Sequence, residues 1–139
     1  MYTYSERSKK NLATCHIDLQ LICYELLKHF DHSVVCGYRN EEDQNMAFKS
    51  GNSWVKYPDS KHNLIPSMAV DLQPYPAEPV GTQAEYDKFS VMGGMFMLIA
   101  KQMFDRGLIH HKITWGRLWK PEKLYSKQKR LDYYHFQFA

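Results

Sequence analysis

Two stretches of the chain carry residues whose types and order suit metal-assisted hydrolysis. The first runs Ser60-Lys61-His62-Asn63-Leu64-Ile65-Pro66-Ser67-Met68-Ala69-Val70-Asp71. The second, Asp132-Tyr133-Tyr134-His135-Phe136, lies at the far end of the sequence. His62, Asp71 and His135 are the ligand types of a catalytic zinc site, in which three protein ligands leave a fourth position for water. Asp132 is a spare carboxylate, and an activated water needs a proton acceptor of that kind. Each half of the pattern is weak by itself, because a His and an Asp at such a separation arise often by chance. A strand also places residues i and i+3 on opposite faces. Asp132 must therefore sit on the loop entering the last strand if it and His135 are to reach one ion.

The elements that would position these groups follow from periodicity. Residues 5–30 read as one helix, capped by Ser5 or Ser8, with Leu12, Cys15, Leu19, Ile22, Cys23, Leu26 and Phe30 on its buried face. His16 lies on or beside that face, where a packed or surface histidine is the simpler role. Residues 33–39 read as a strand ending in a Gly turn. Asn40 followed by Glu41, Glu42 and Asp43 opens a short helix to Lys49. A polar, aromatic loop over 54–60 delivers His62. Met68–Leu72 reads as a short strand with Val70 and Leu72 on one side and Ala69 and Asp71 on the other. The proline-rich run from Pro74 to Gly81 reads as a long loop. Residues 85–108 form the second long helix, in which Gly93-Gly94 offers room for a close neighbour. His110 and His111 follow its end, where basic groups compensate the helix dipole. Lys112–Gly116 is a strand and turn, 117–131 a basic loop, and Tyr133–Phe138 the last strand. Few strands and two long helices point to α+β, with a small antiparallel sheet carrying the metal site and packed against the helices.

Composition sets the remaining bounds. The 139 residues suit a single domain over 1–139 with a usable core. The net charge of +3 is small, and its densest part is Lys120, Lys123, Lys127, Lys129 and Arg130. That run reads first as a solvated loop and second as a steering patch for an anionic surface. A nucleic-acid module would be more basic overall, so no nucleic-acid partner is expected. Cys15, Cys23 and Cys36 are odd in number and make no C-x-x-C, which favours free thiols and a reducing compartment of synthesis. No apolar run follows the N-terminal charges, so no signal peptide is expected. No stretch approaches the roughly 18 apolar residues of a membrane span, and no stable membrane insertion is expected.

Taken in order, Ser-Lys-His-Asn, Pro-Ser-Met-Ala-Val-Asp-Leu, Pro-Tyr-Pro, Ile-Thr-Trp-Gly and Asp-Tyr-Tyr-His-Phe resemble the phage L-alanyl-D-glutamate peptidases. These endolysins belong to the D-Ala-D-Ala carboxypeptidase family of zinc peptidases. Upstream, Cys36-Gly37-Tyr38-Arg39 and Gln44 match the family's Gly-Tyr-Arg and Gln positions. The resemblance spans about 36–138. It implies that His62, Asp71 and His135 bind Zn2+ and that Asp132 is the general base. It implies that Arg39 stabilises the oxyanion or holds a substrate carbonyl, as a donor-only cation can. It implies hydrolysis of the L-Ala–D-Glu bond in the stem peptides of peptidoglycan during phage-mediated lysis. Gln44 and Trp115 are placed as substrate-binding residues, with packing an equal role for Trp115. Trp119 is open to the same two roles, and Tyr133 and Tyr134 alternate so that one can face the groove.

The sequence departs from its relatives in two places. Where they often carry Trp-Gly-Gly-Asp-Trp, this chain has Trp115-Gly116-Arg117-Leu118-Trp119, and its loop before Asp132 is basic rather than acidic. Neither change touches the proposed ligands, and both leave substrate preference and any accessory ion open. A D,D-carboxypeptidase of the same family is the alternative enzyme, and a non-catalytic zinc- or wall-binding module is the alternative class. Asp132 argues against the module, which has no use for a carboxylate beside the last ligand. The expected protein is a monomer made in the host cytoplasm that reaches murein after a separate protein permeabilises the membrane. Without a wall-binding repeat it suits the thin murein of a Gram-negative host.

Overall fold

The first helical stretch breaks where its apolar periodicity continues. In the computed structural model, which describes residues 1–118 and 132–139, it forms two helices, α1 (Glu6–Ala13) and α2 (Ile17–Leu27). The single helix expected over 5–30 is corrected to this pair. At the break, Ser67 N–H donates to Thr14 C=O and His16 N–H donates to Ser67 C=O, both at 2.9 Å. His16 also caps α2, its Nδ1 accepting from Asp18 N–H at 3.0 Å. These bonds to a segment about fifty residues away, and a side-chain cap, satisfy the backbone groups that an uninterrupted helix would pair internally.

The next elements are β1 (His32–Cys36), α3 (Glu41–Lys49), β2 (Ala69–Pro74), α4 (Gln83–Asp105), β3 (Ile113–Trp115) and β4 (His135–Phe138). Asn40 caps α3 and Thr82 caps α4, each side chain accepting a backbone N–H of the first turn. Strand β2 runs two residues further than the sequence suggests, so Pro74 pairs with His32 at the end of the β1–β2 ladder instead of opening the loop. Strand β4 begins two residues later than expected, at His135.

The four strands form one antiparallel sheet in the order β1-β2-β4-β3. The α+β class is as the sequence implies. Alternation sorts the two central strands. Val70, Leu72, Phe136 and Phe138 are buried in the core, while Asp71, Gln73 and Gln137 line the opposite side. Helix α4 packs on the core side, with Phe89, Met92, Phe96 and Ala100 buried, and α2 packs beside it. Phe96 stacks on Phe136 with ring centroids 4.0 Å apart.

Trp115 belongs to this core. It is 6% exposed, stacks on Phe136 and donates from Nε1 to Tyr133 C=O at 2.8 Å. Its indole fills the space left by Gly93, where a Cβ would lie 2.1 Å from the ring. The Gly-Gly pair therefore does admit a close neighbour, at Gly93 and not at Gly94.

His110 and His111 have a specific partner rather than a general dipole role. Asp18 Oδ2 accepts both of their backbone N–H groups, at 2.8 and 3.1 Å, and His111 Nδ1–H at 2.8 Å. Burial alone would raise the Asp18 carboxyl. The bonds from His111 and His110, with the nearby imidazole charges, hold it below its ordinary value instead. This clasp joins the start of α2 to the segment after α4. The Lys120–Arg130 patch and Trp119 lie outside the described residues.

Candidate active site

Asp71 sits in the middle of the sheet because β2 is flanked on both sides. Its cross-strand partners are Cys36 of β1 and His135 of β4, so all three fall on one row facing away from the core. His62 arrives from above on a 3-10 turn, Lys61–Asn63. Ser60 and Asn63 cap that turn reciprocally. Ser60 Oγ accepts His62 N–H at 3.2 Å, and Asn63 Oδ1 accepts Ser60 N–H at 3.1 Å. Arg39 N–H donates to His62 C=O at 2.8 Å, and Asn63 Nδ2 donates to Arg39 C=O at 2.9 Å. The turn is thereby locked to the segment that follows β1.

Three nitrogen and oxygen atoms converge. His62 Nε2 lies 3.2 Å from Asp71 Oδ1 and 3.3 Å from His135 Nδ1, and the last two are 3.0 Å apart. The outer nitrogen of each ring is already committed. His62 Nδ1–H donates to Gly37 C=O at 2.7 Å, and His135 Nε2–H donates to Gln137 Oε1 at 2.8 Å. In the neutral tautomers fixed by these bonds, both inward nitrogens and the carboxylate oxygen present lone pairs to one point. Such a cluster calls for a cation. Ligands of a tetrahedral zinc at about 2.0–2.1 Å lie about 3.3 Å from one another, so the spacing fits that ion. The outer hydrogen bonds are those that orient metal-bound imidazoles.

The same closeness couples the charges of the cluster. Burial would lower His62, which is 1% exposed, but the Asp71 carboxylate overrides this and pushes its pKa up to about 10. Burial would raise Asp71, yet the imidazoles of His62 and His135 hold it well below the usual carboxylate range. A proton here takes the place that a metal ion would take. Cys36 Sγ is 3.8 Å from His62 Nδ1, on the ring edge that faces Gly37 and not on the converging edge.

Asp132 lies on the turn just before β4, as the strand argument requires, and lines the same cleft. Burial and the neighbouring Asp71 charge push its pKa up to about 6, against the opposing pull of His135, His62 and Arg39. Its backbone rests on Gly116, where a Cβ would stand 2.5 Å from Asp132 C=O. Arg39 Nη2 is 3.5 Å from Asp71 Oδ2, and its Nη1 donates to Gln44 Oε1 at 3.0 Å.

Gln44 is not a wall of the cleft. It is 0% exposed, and it accepts from Arg39 and Asn63 while its Nε2 donates to Ser53 Oγ and Val55 C=O. Every hydrogen-bonding direction is used inside the protein, so the sequence-based placement as a substrate contact is corrected to a support for Arg39. Trp115 is corrected likewise, since its indole is enclosed by Gly93, Phe136 and Tyr133. Reading the sequence missed Asn63 and Gln137. The Ser-x-x-Asn spacing of a capping box and the i, i+2 relation of Gln137 to His135 are the signals that point to them.

The cleft has a volume of about 960 Å³. It runs past His62, Asp71, Asp132 and His135 between the sheet and the 51–55 and 59–61 segments. The size is ample for a short peptide segment. An antiparallel sheet backed by helices, with a His-Asp-His cluster and a second carboxylate in an open cleft, defines a metallohydrolase-like architecture.

Comparison with known proteins agrees. A profile of the phage L-alanyl-D-glutamate peptidases matches residues 1–138, and the chain belongs to that family. It is a peptidoglycan hydrolase that cuts the L-Ala–D-Glu bond of the stem peptide. Among solved structures, the L-Ala D-Glu endopeptidase ChiX of Serratia marcescens superposes with a TM-score of 0.69. The identity is 23%, and the match covers 99% of this chain and 90% of that one. At that identity the likeness concerns the fold. No match is found among curated protein sequences.

Proposed function

We propose that the chain is a zinc-dependent endopeptidase whose ligands are His62, Asp71 and His135, with Asp132 as general base and Arg39 as the oxyanion donor. The observation that carries this reading is the convergence of three lone-pair atoms, mutually 3.0–3.3 Å apart, beside a carboxylate whose pKa is raised. A zinc ion, when bound, supplies Lewis acidity that polarises a carbonyl and acidifies water. The chain's own residues do the rest. Asp132 takes the proton of the attacking water and passes it to the nitrogen of the departing D-Glu. Arg39, held by Gln44, aims its remaining guanidinium donors at the oxygen that gains charge. Three protein ligands without a fourth keep the centre open for substrate.

The same reading covers the wider role. The chain acts as a single catalytic domain and a monomer, made in the host cytoplasm and admitted to murein when the membrane is breached. Among the described residues no helix is long and apolar enough to cross a membrane. The test is digestion of purified murein, with zinc content measured on the same preparation. One zinc per chain, new N-terminal glutamate and intact glycan strands are the expected result, with activity lost on chelation. Full activity in metal-free protein overturns the zinc assignment. Release of free D-alanine alone points to the carboxypeptidase.

A further inference from the structure

The residue before His62 is Lys61, and it lines the cleft from the same 3-10 turn. Its backbone is anchored, its C=O accepting Met68 N–H at 3.0 Å. Its ammonium has no ion-pair or hydrogen-bond partner among the described residues. The other Lys or Arg on the described cleft wall is Arg39, which is paired with Gln44 and Asp71 and whose remaining donors are assigned to the oxyanion. Against these two cations the wall carries Asp59, Asp71, Glu85 and Asp132. With a metal ion balancing Asp71, an entering carboxylate still meets Asp59, Glu85 and Asp132, and Lys61 is the side chain on the described wall placed to receive it.

The substrate brings such a carboxylate. The D-Glu of a stem peptide is joined onward through its side-chain carboxyl, so its α-carboxylate is free. That group is three bonds from the carbonyl carbon that is attacked, and it must lie close to the His62 cluster. In some murein the same position is an amide, and the charge is absent.

We propose that Lys61 binds the free α-carboxylate of D-Glu and makes the enzyme select D-Glu over its α-amidated counterpart. The proposal rests on the His62 cluster being the reaction centre. A lysine suits the task because its flexible stem delivers a point charge with three donors. A site built for a charged group discriminates strongly against an analogue that lacks it.

The test uses two soluble stem peptides that differ only in carboxylate or amide at this carbon, with the zinc-loaded enzyme. The wild type should favour the carboxylate in kcat/KM by about ten- to a hundredfold, the range of a hydrogen bond to a charged group. Lys61→Met keeps the apolar stem and should bring the ratio near one, with the change mainly in KM. Lys61→Arg should restore much of the ratio, and high salt should shrink it in the wild type. Thermal midpoints of both variants near that of the wild type confirm that the fold is intact. A wild-type ratio near one overturns the proposal, as does Lys61→Met retaining the wild-type ratio or slowing both peptides equally. A wild type that cuts neither peptide overturns the reaction-centre reading as well.

Discussion

Gly116→Ala places a methyl group where the protein has backbone. The added Cβ would stand 2.5 Å from Asp132 C=O and 2.8 Å from Asp132 Cβ. Ordinary carbon contacts need about 3.4 Å or more, so the Asp132 segment must retreat by roughly 0.5–1 Å. The proposed ligands His62, Asp71 and His135 are held by other bonds, to Gly37 and Gln137 and through the β2–β4 register. The variant should therefore bind zinc normally while its base stands out of position. Displacement of about 1 Å from reactive geometry costs on the order of a hundredfold in rate, or about 2.7 kcal/mol of barrier. The loss should appear in kcat rather than KM, because the general base proposed at Asp132 would act in the transition state. The assay is steady-state cleavage of a soluble stem peptide, with zinc content and thermal midpoint measured on the same protein. Wild-type kcat with zinc intact would refute the link between Gly116 and the base. Loss of zinc would show that the turn supports the ligands instead.

Asp132→Asn removes the base without adding bulk, and it should keep fold and zinc while losing at least about a hundredfold in kcat; normal turnover with intact zinc would take Asp132 out of the mechanism. The metal-stripped protein should show a stability profile set by the cluster. His62 is raised from 6.5 to about 10, so its contribution is complete below pH 6.5 and is lost as pH rises through about 10. Asp71 is lowered, so its contribution is present above its ordinary value of 3.8 and is lost on further acidification. Thermal midpoints of chelated protein should thus fall from pH 6.5 toward 10, while the stabilisation by added zinc grows over the same range; a flat profile that is unchanged in His62→Gln would contradict this. The paired glycines of α4 should respond in opposite directions. Gly93→Ala collides with Trp115 at 2.1 Å and should destabilise by about 1–3 kcal/mol. Gly94→Ala meets nothing within 4 Å and should stabilise by up to about 1 kcal/mol, both read from denaturant midpoints.

The local features of the chain were legible because each rests on residues near one another in sequence. Val70, Asp71 and Leu72 alternate as a strand must, and that places Asp71 opposite the core before any neighbour is known. Asn40 and its acidic first turn mark α3, and the apolar spacing of Phe89, Met92, Phe96 and Ala100 marks α4. The resemblance to the family came from the ordered motifs around these residues, from Ser-Lys-His-Asn at His62 to Asp-Tyr-Tyr-His-Phe at His135, and not from the His and Asp spacing alone.

Distant partners decided the rest. The break between α1 and α2 exists because Thr14 and His16 exchange hydrogen bonds with Ser67, a choice that helical periodicity cannot register. Trp115 and Gln44 have side chains that serve equally in a groove or a core, and only Gly93 on one side and Arg39, Asn63 and Ser53 on the other settle their places. His135 and Asp71 are sixty-four residues apart, and the antiparallel register of β2 with β4 brings their ligand atoms to 3.0 Å. Side-chain chemistry is a property of the chain itself. The orientation of that chemistry comes from sheet pairing and packing, which depend on contacts that close only when the whole domain folds.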